Sequence, residues 1–147
     1  MRGTVRTRLA AAAIAVAAGG GIAVTAPASP AVAFFSPPLF LDIRVLSPAQ
    51  LVAGGAAVQV PVEVTCTSDE AFVSVTVTQR VGKRLAKGNG FADIGCTRSR
   101  EQVIVTVVAD QGTSFTKGTA FAEGQIFGCA PSVCGAETDQ TTIEIRR

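Results

Sequence analysis

AAVQVPVEVTC, residues 56–66, has the clearest structural pattern in the chain. Valines occupy every second position from Val58 to Val64, Cys66 continues their phase, and polar residues and Pro61 fill the gaps. A period of two is typical of a strand with one face in the core and the other in solvent. Because proline has no backbone N–H, we expect a bulge or a sheet edge near Pro61. The segment predicts a half-buried strand whose final cysteine points into the core.

Six further segments after residue 33 have strand character. Turn residues separate them at intervals of roughly 8–12 residues, and no helical period is present. Their abundant β-branched side chains suit a pleated surface. This pattern predicts an all-β fold, a single immunoglobulin-like antiparallel β-sandwich of about seven strands. The predicted strands span residues 42–46, 56–66, 73–78, 84–92, 102–108, 119–129 and 141–146.

Two of these strands need a further comment. Gly88-Asn89-Gly90 is expected to interrupt the fourth strand, since glycine weakens a strand interior. The strand at 119–129 has two possible phases, and the pattern does not select one. Either its small residues face the core or its two phenylalanines do; the alternatives are Ala120, Ala122, Gly124 and Ile126 against Phe121 and Phe127.

The N-terminal segment has the pattern of a secretory signal peptide, with a basic start, an uncharged Ala-rich stretch and a small-x-small site. We expect cleavage after Ala33, with cleavage after Ala28 as the alternative. An uncleaved membrane anchor is disfavoured, because three consecutive glycines weaken a helix. The protein is therefore predicted to be secreted. The predicted organisation is a signal peptide at 1–33, a Phe/Pro-rich lead-in at 34–41 and a sandwich domain at 42–147.

The composition excludes several classes of function. The chain has no His, Trp or Tyr, so the commonest general base, the commonest metal ligand and the best stacking side chains are missing. Arg2, Arg6 and Arg8 lie in the predicted signal peptide, which leaves ten basic residues against 11 acidic ones and a net charge of −1. The basicity of the whole chain thus gives no argument for a nucleic acid partner. We expect no enzymatic activity, no cofactor and no metal site.

Four cysteines behind a signal peptide predict two disulfides. Cys129 and Cys134 bracket a short Pro-containing turn and are expected to bond to each other, which leaves Cys66 for Cys96. That second pair also fits the topology, because the second and fifth strands of such a sandwich are antiparallel neighbours. A zinc site is disfavoured, since the cysteines form no CxxC pair.

Four cations surround one predicted hairpin turn: Arg80, Lys83, Arg84 and Lys87. Basic residues on an edge hairpin discourage strand-to-strand aggregation, and this is the simpler interpretation. The functional alternative is a contact patch for an acidic partner or a cell-wall polymer.

The Ala/Val/Gly/Arg-rich leader, the strand pattern and the final segment GCAPSVCGAETDQTTIEI (128–145) resemble small secreted β-sandwich proteins of actinobacteria, many of uncharacterised function. The C-x4-C loop is also similar to that of neocarzinostatin-like enediyne-binding apoproteins. That resemblance implies an immunoglobulin-like sandwich that holds a small molecule in a cleft, with Cys129 and Cys134 as the shorter-loop bridge. It fails for Cys66 and Cys96, because the family's other bridge closes a short hairpin.

The sequence therefore predicts a secreted, non-catalytic binding or structural module with an unknown partner, such as a cell-wall polymer, a secreted protein or a small apolar ligand. One alternative is a small-molecule carrier, which outward-facing Phe72, Phe121 and Phe127 would support. The other is a protease inhibitor that uses the Cys129–Cys134 loop. The cysteine spacing and reactive-loop motif of secreted subtilisin inhibitors are absent.

Overall fold

The computed structural model describes residues 38–68 and 70–147. The predicted signal peptide, both cleavage sites and the first part of the lead-in lie outside the described residues. A short 3-10 turn (Ala53–Gly55) accompanies eight strands in the described part. The strands are β1 (Leu41–Val45), β2 (Ala49–Val52), β3 (Ala57–Cys66), β4 (Glu70–Val81), β5 (Arg84–Ile94), β6 (Glu101–Ala109), β7 (Gly118–Ala130) and β8 (Val133–Arg146).

Seven of these strands form a closed barrel, in the order β3-β2-β8-β7-β4-β5-β6 and back to β3. The predicted all-β class is confirmed, but the predicted immunoglobulin-like antiparallel sandwich is wrong. One link of the ring, β2–β8, is parallel, and the ring leaves no open sheet edge between β6 and β3. The prediction failed because none of the seven predicted strands covers residues 49–52, where β2 lies. This short strand is the element that connects β3 to β8.

β3 is the strand on which the ring closes. It pairs with β6 along Ala57–Val64 on one side, and on the other side with β2 at Ala57–Gln59 and with β1 at Val62–Cys66. Pro61 lies between the two stretches paired with β2 and β1, and its carbonyl accepts the backbone N–H of Leu46. In an antiparallel strand, the N–H and C=O of one residue point to the same side. The N–H that Pro61 lacks would therefore point to the place where the neighbour of β3 changes from β2 to β1. A proline is thus accommodated in an interior strand without a bulge.

β5 is continuous from Arg84 to Ile94, so the predicted interruption at Gly88–Gly90 is wrong. These glycines have a packing role instead. A Cβ at Gly88 would overlap the carbonyl oxygen of Val108, and one at Gly90 that of Thr106. Their missing side chains let the β5 backbone approach β6 and close the ring at this corner.

The barrel interior is filled mainly by valine, with alanine and isoleucine, from the inward phase of every strand. In β7 the small residues face inward and Phe121 faces outward, which settles the phase that the sequence left open. The reason is β1, which packs its side chains across β7: a Cβ at Gly124 would lie 2.6 Å from Cγ2 of Val45. Bulky inward residues at this position would leave no room for β1.

Both disulfides have the pairing that the sequence predicts. Cys66–Cys96 joins the end of β3 to the segment between β5 and β6, with the Cα atoms 5.2 Å apart. Cys129–Cys134 joins residues that lie directly opposite each other in the β7–β8 ladder, with the Cα atoms 4.0 Å apart. One bridge therefore ties the barrel at its closing strand, and the other fixes the tip of its longest hairpin.

Candidate functional site

Strands β5, β4, β7 and β8 are neighbours and present one continuous outer face to solvent. Ser, Thr, Asn and Gln occupy many outward positions in the middle of this face, as expected for the wet side of a half-buried sheet. One row across it differs, because it carries two phenylalanines beside a carboxylate. That row consists of Asp93 (β5), Phe72 (β4), Phe127 (β7) and Ala136 (β8).

Phe72 and Phe127 form an aromatic pair in this row. Their ring centroids are 5.2 Å apart and the ring planes are tilted by 36°. This separation lies within the range in which aromatic rings attract each other. The pair lines an open cleft of about 260 Å³, which we call the aromatic cleft; its lining residues are Glu70, Ala71, Phe72, Asp93, Phe127 and Cys129.

Two carboxylates border the aromatic cleft. Glu70 is the first residue of β4, and Asp93 lies opposite Phe72 on β5; both are exposed. Both also line a second depression that extends to Gly95. Neither forms an ion pair within the described residues, where the one ion pair joins Arg100 Nε to Glu63 Oε1 at 3.4 Å. The cleft thus combines an apolar floor with negative charge at its rim.

The four predicted patch residues lie together at the other end of the β4–β5 hairpin. Arg80, Lys83, Arg84 and Lys87 are all exposed around the turn at Gly82, whose φ is +61°. None of them forms an ion pair with an acidic side chain in the part of the chain that the structure describes. Asp110, which follows β6, lies beside Lys87, because its backbone N–H donates to the carbonyl of Lys87. We call this surface the basic hairpin end.

Leu85 projects from the basic hairpin end, and sequence reasoning did not identify it. Its side chain is 66% exposed, and it pairs with Arg80 across the ladder. Strand alternation places it on the outer face together with Lys87. A single exposed leucine is common on protein surfaces. Leu85 is a candidate contact because four cations surround it on a turn that projects from the barrel.

The phenylalanines proposed for a carrier do not form one site. Phe121 is on the outer face, but it pairs with Thr78, six residues along β7 from Phe127. At roughly 3.3 Å per residue the two rings belong to regions about 20 Å apart. The aromatic cleft therefore contains two of the three predicted residues.

The Cys129–Cys134 loop is the turn of a hairpin. Ala130 pairs with Val133, so Pro131 and Ser132 alone connect β7 to β8. A substrate-like inhibitor presents an extended segment to a protease cleft, and a two-residue turn offers none. The geometry therefore gives no support to the inhibitor alternative.

The described residues contain no group of three or more His, Cys, Asp or Glu side chains that could hold a metal ion. Over the same residues, the structure has no helix with the length and apolarity needed to cross a membrane.

Comparison with known proteins identifies no family for this chain. No protein-family model matches it, and no curated protein matches it. Among solved structures, it is similar to AggA, the major subunit of aggregative adherence fimbriae type I from Escherichia coli, with a TM-score of 0.39 and 12% identity over 75% of this chain and 95% of that one. A likeness of this degree carries no argument about function. The resemblances to actinobacterial secreted proteins and to neocarzinostatin-like apoproteins gain no support here and stay expectations from the sequence.

Proposed function

We propose that the protein is an extracellular, non-catalytic binding module that recognises a protein segment in which an apolar side chain stands beside basic residues. The observation behind this proposal is the aromatic cleft, where exposed Phe72 and half-buried Phe127 are bordered by the carboxylates of Glu70 and Asp93. The two disulfides support an oxidising, extracellular location. The absence of His from the sequence supports a non-catalytic role.

The open shape of the cleft favours a protein partner over a small-molecule cargo. Sites for drug-sized ligands usually enclose about 300–1,000 Å³ and cover most of the ligand. The aromatic cleft measures about 260 Å³ and the adjoining depression about 410 Å³, but both are open to solvent and would leave much of such a ligand uncovered. Such a volume suits one anchoring side chain of a larger partner, as in the central pockets of protein interfaces.

The chemistry of the cleft favours a basic, amphipathic segment. An apolar side chain would cover the ring of Phe72, which is 43% exposed in the free protein. Neighbouring Lys or Arg side chains would then reach the carboxylates of Glu70 and Asp93, and a cation over either ring would gain a further attraction. An acidic segment would meet like charge at both positions.

The aromatic cleft is also held rigidly before any partner arrives. Phe72 lies in β4, which is paired along nearly its whole length with β5 on one side and β7 on the other. Phe127 lies near the disulfide-closed tip of the β7–β8 hairpin. A site built on paired strands loses little conformational freedom on binding.

A peptide titration tests this proposal. A synthetic peptide of alternating Lys and Leu is titrated into the protein and followed through the NMR signals of the phenylalanine rings. We expect the Phe72 and Phe127 signals to shift, and Phe72→Ser to weaken binding about tenfold. Ile104→Ser is the matched control, because Ile104 is 52% exposed on β6, outside the cleft. Equal shifts with a peptide of alternating Glu and Leu, or equal affinity for the Phe72→Ser variant, would contradict the proposal.

The basic hairpin end is proposed as a second contact surface of the module. Its support is the grouping of Arg80, Lys83, Arg84 and Lys87 around one turn without acidic side chains paired to them in the described residues. Edge protection accounts for part of this charge, because Arg80 and Arg84 lie beyond the β4–β7 and β5–β6 ladders, where the hairpin has open edges. The same four cations, grouped around one exposed turn, also suit a contact with an acidic surface.

A further inference from the structure

We propose that the protein associates head to tail with a second copy of itself, and that the basic hairpin end of one copy places Leu85 in the aromatic cleft of the next. This inference rests on the proposed function, because it names the chain itself as a source of the basic, apolar segment. The partner is thus a second copy of the same folded chain.

The two surfaces are complementary in shape and in polarity. The basic hairpin end is convex, since it is the turn of a hairpin, and its exposed apolar side chain is Leu85. The aromatic cleft is concave, and Phe72 and Phe127 provide its apolar lining. A leucine side chain is far smaller than 260 Å³, so it can enter while other groups of the turn remain at the rim.

The charges are complementary as well. Four cations surround Leu85, whereas Glu70 and Asp93 border the cleft. Asp110 contacts Lys87 through a backbone hydrogen bond, and its carboxylate forms no ion pair with the four cations. Opposite charges on the two surfaces would steer the copies into this orientation and disfavour contact between two like ends.

The positions of the surfaces determine the kind of assembly. Phe72 and Arg80 lie eight residues apart on β4, which corresponds to about 26 Å along the strand. One copy cannot bring its own hairpin end into its own cleft across a rigid strand. Each copy therefore contacts one neighbour through its basic hairpin end and another through its aromatic cleft. A head-to-tail contact of this type produces an open chain of copies, unless the rotation between successive copies closes a ring.

Sedimentation velocity on the purified chain with both disulfides formed tests this inference. We expect the average mass to rise with protein concentration at an ionic strength of about 0.01 M and to fall back towards the monomer at about 1 M, where charges are screened within about 3 Å. Leu85→Ser and Phe72→Ser should each remain monomeric. Leu85 is an exposed residue at the start of β5, so its replacement leaves the fold intact even if Phe72→Ser does not. Ile104→Ser should associate like the unchanged chain.

Mixing the two variants separates this interface from any other. Leu85→Ser retains a working cleft and Phe72→Ser retains a working hairpin end, so an equimolar mixture should form dimers and nothing larger. A monomeric unchanged chain at every concentration, a Leu85→Ser variant that still associates, or a mixture that stays monomeric while the unchanged chain associates would each overturn the inference. The peptide titration is independent of these results, so failure of self-association leaves the proposed function standing if the Lys/Leu peptide still binds the cleft.

Discussion

Gln79 and Thr116 are joined by a reciprocal pair of hydrogen bonds. The side-chain amide of Gln79 donates from Nε2 to the carbonyl of Thr116 at 2.9 Å, and its Oε1 accepts the backbone N–H of Thr116 at 2.8 Å. Gln79 belongs to β4 and is 3% exposed, so these bonds satisfy a buried amide. They hold the segment between β6 and β7 against the end of the barrel, where Phe115 is fully buried.

Replacing Gln79 by Leu should therefore loosen this end of the barrel. The change removes both bonds and leaves the N–H and C=O of Thr116 without their partner, at a cost of about 2 kcal/mol in the free energy of unfolding. Urea denaturation measures the loss. Gln125→Leu on the exposed outer face of β7 is the control and should change stability by less than about 0.5 kcal/mol. Equal stabilities of the two variants would contradict the assigned role of Gln79.

Gly90→Ala should destabilise the closed ring, because the added methyl group would overlap the backbone carbonyl of Thr106. Backbone cannot move aside as a flexible side chain can, so we expect a loss of at least about 2 kcal/mol and faster hydrogen exchange in β5 and β6. Gly95→Ala is the matched control, since a Cβ there would meet open space. Unchanged exchange in β6 would show that β5 does not depend on this close approach.

A double-mutant cycle tests how β1 packs on β7. Gly124→Ala places a methyl group 2.6 Å from Cγ2 of Val45, and we expect it to cost about 1–3 kcal/mol. Val45→Ala alone also destabilises, because it empties part of the core. Since the second change makes room for the first, the double variant should be more stable than the two separate losses predict. Additive losses would mean that the two residues do not compete for the same space.

The two disulfides should contribute unequally to stability. Cys66 and Cys96 are 30 residues apart, whereas Cys129 and Cys134 are five apart. On the chain-entropy model the first bridge stabilises by about 4 kcal/mol and the second by about 2 kcal/mol. Denaturation of the paired Cys→Ala variants should show the larger loss for Cys66→Ala/Cys96→Ala. The reverse order would indicate that the tip of the β7–β8 hairpin matters more than loop length.

The features predicted correctly from sequence are those that a local pattern encodes. The period of two in β3 gave its inward face and the direction of Cys66, and the short spacing of Cys129 and Cys134 gave both disulfide pairings. The isoleucines of β8, Ile143 and Ile145, were likewise assigned to the core, where they are fully buried.

The features missed depend on contacts between distant segments. β2 has four residues between two turns, and a segment so short is defined only by its partners β3 and β8. Phe115 stands alone in a polar stretch and therefore has no periodicity, yet it is buried because its segment covers the end of the barrel. Gly88 and Gly90 resemble turn residues until the carbonyls of β6 are seen beside them.

The candidate site was predicted only in part, because the sequence singled out Phe72 and Phe127 but not Glu70 or Asp93. Phe72, Asp93 and Phe127 belong to three strands, and they meet only because of the register of β4 with β5 and β7. Alternation along each strand can show that the three side chains face outward. It cannot show which residue of one strand stands opposite which residue of the next, since that depends on turn lengths and bulges.

The parallel link between β2 and β8 also constrains when the barrel can form. It joins Ala49 to Ile145 and Gln50 to Arg146, residues separated by almost the whole length of the domain. While a ribosome is still adding the residues of β8, the ring lacks this strand. During that time β2 and β7 have no β8 to pair with. Closure of the ring through such distant pairs is slow, because the chain must lose much of its conformational entropy before these contacts form. That delay leaves unpaired strands exposed to aggregation until β8 completes the ring.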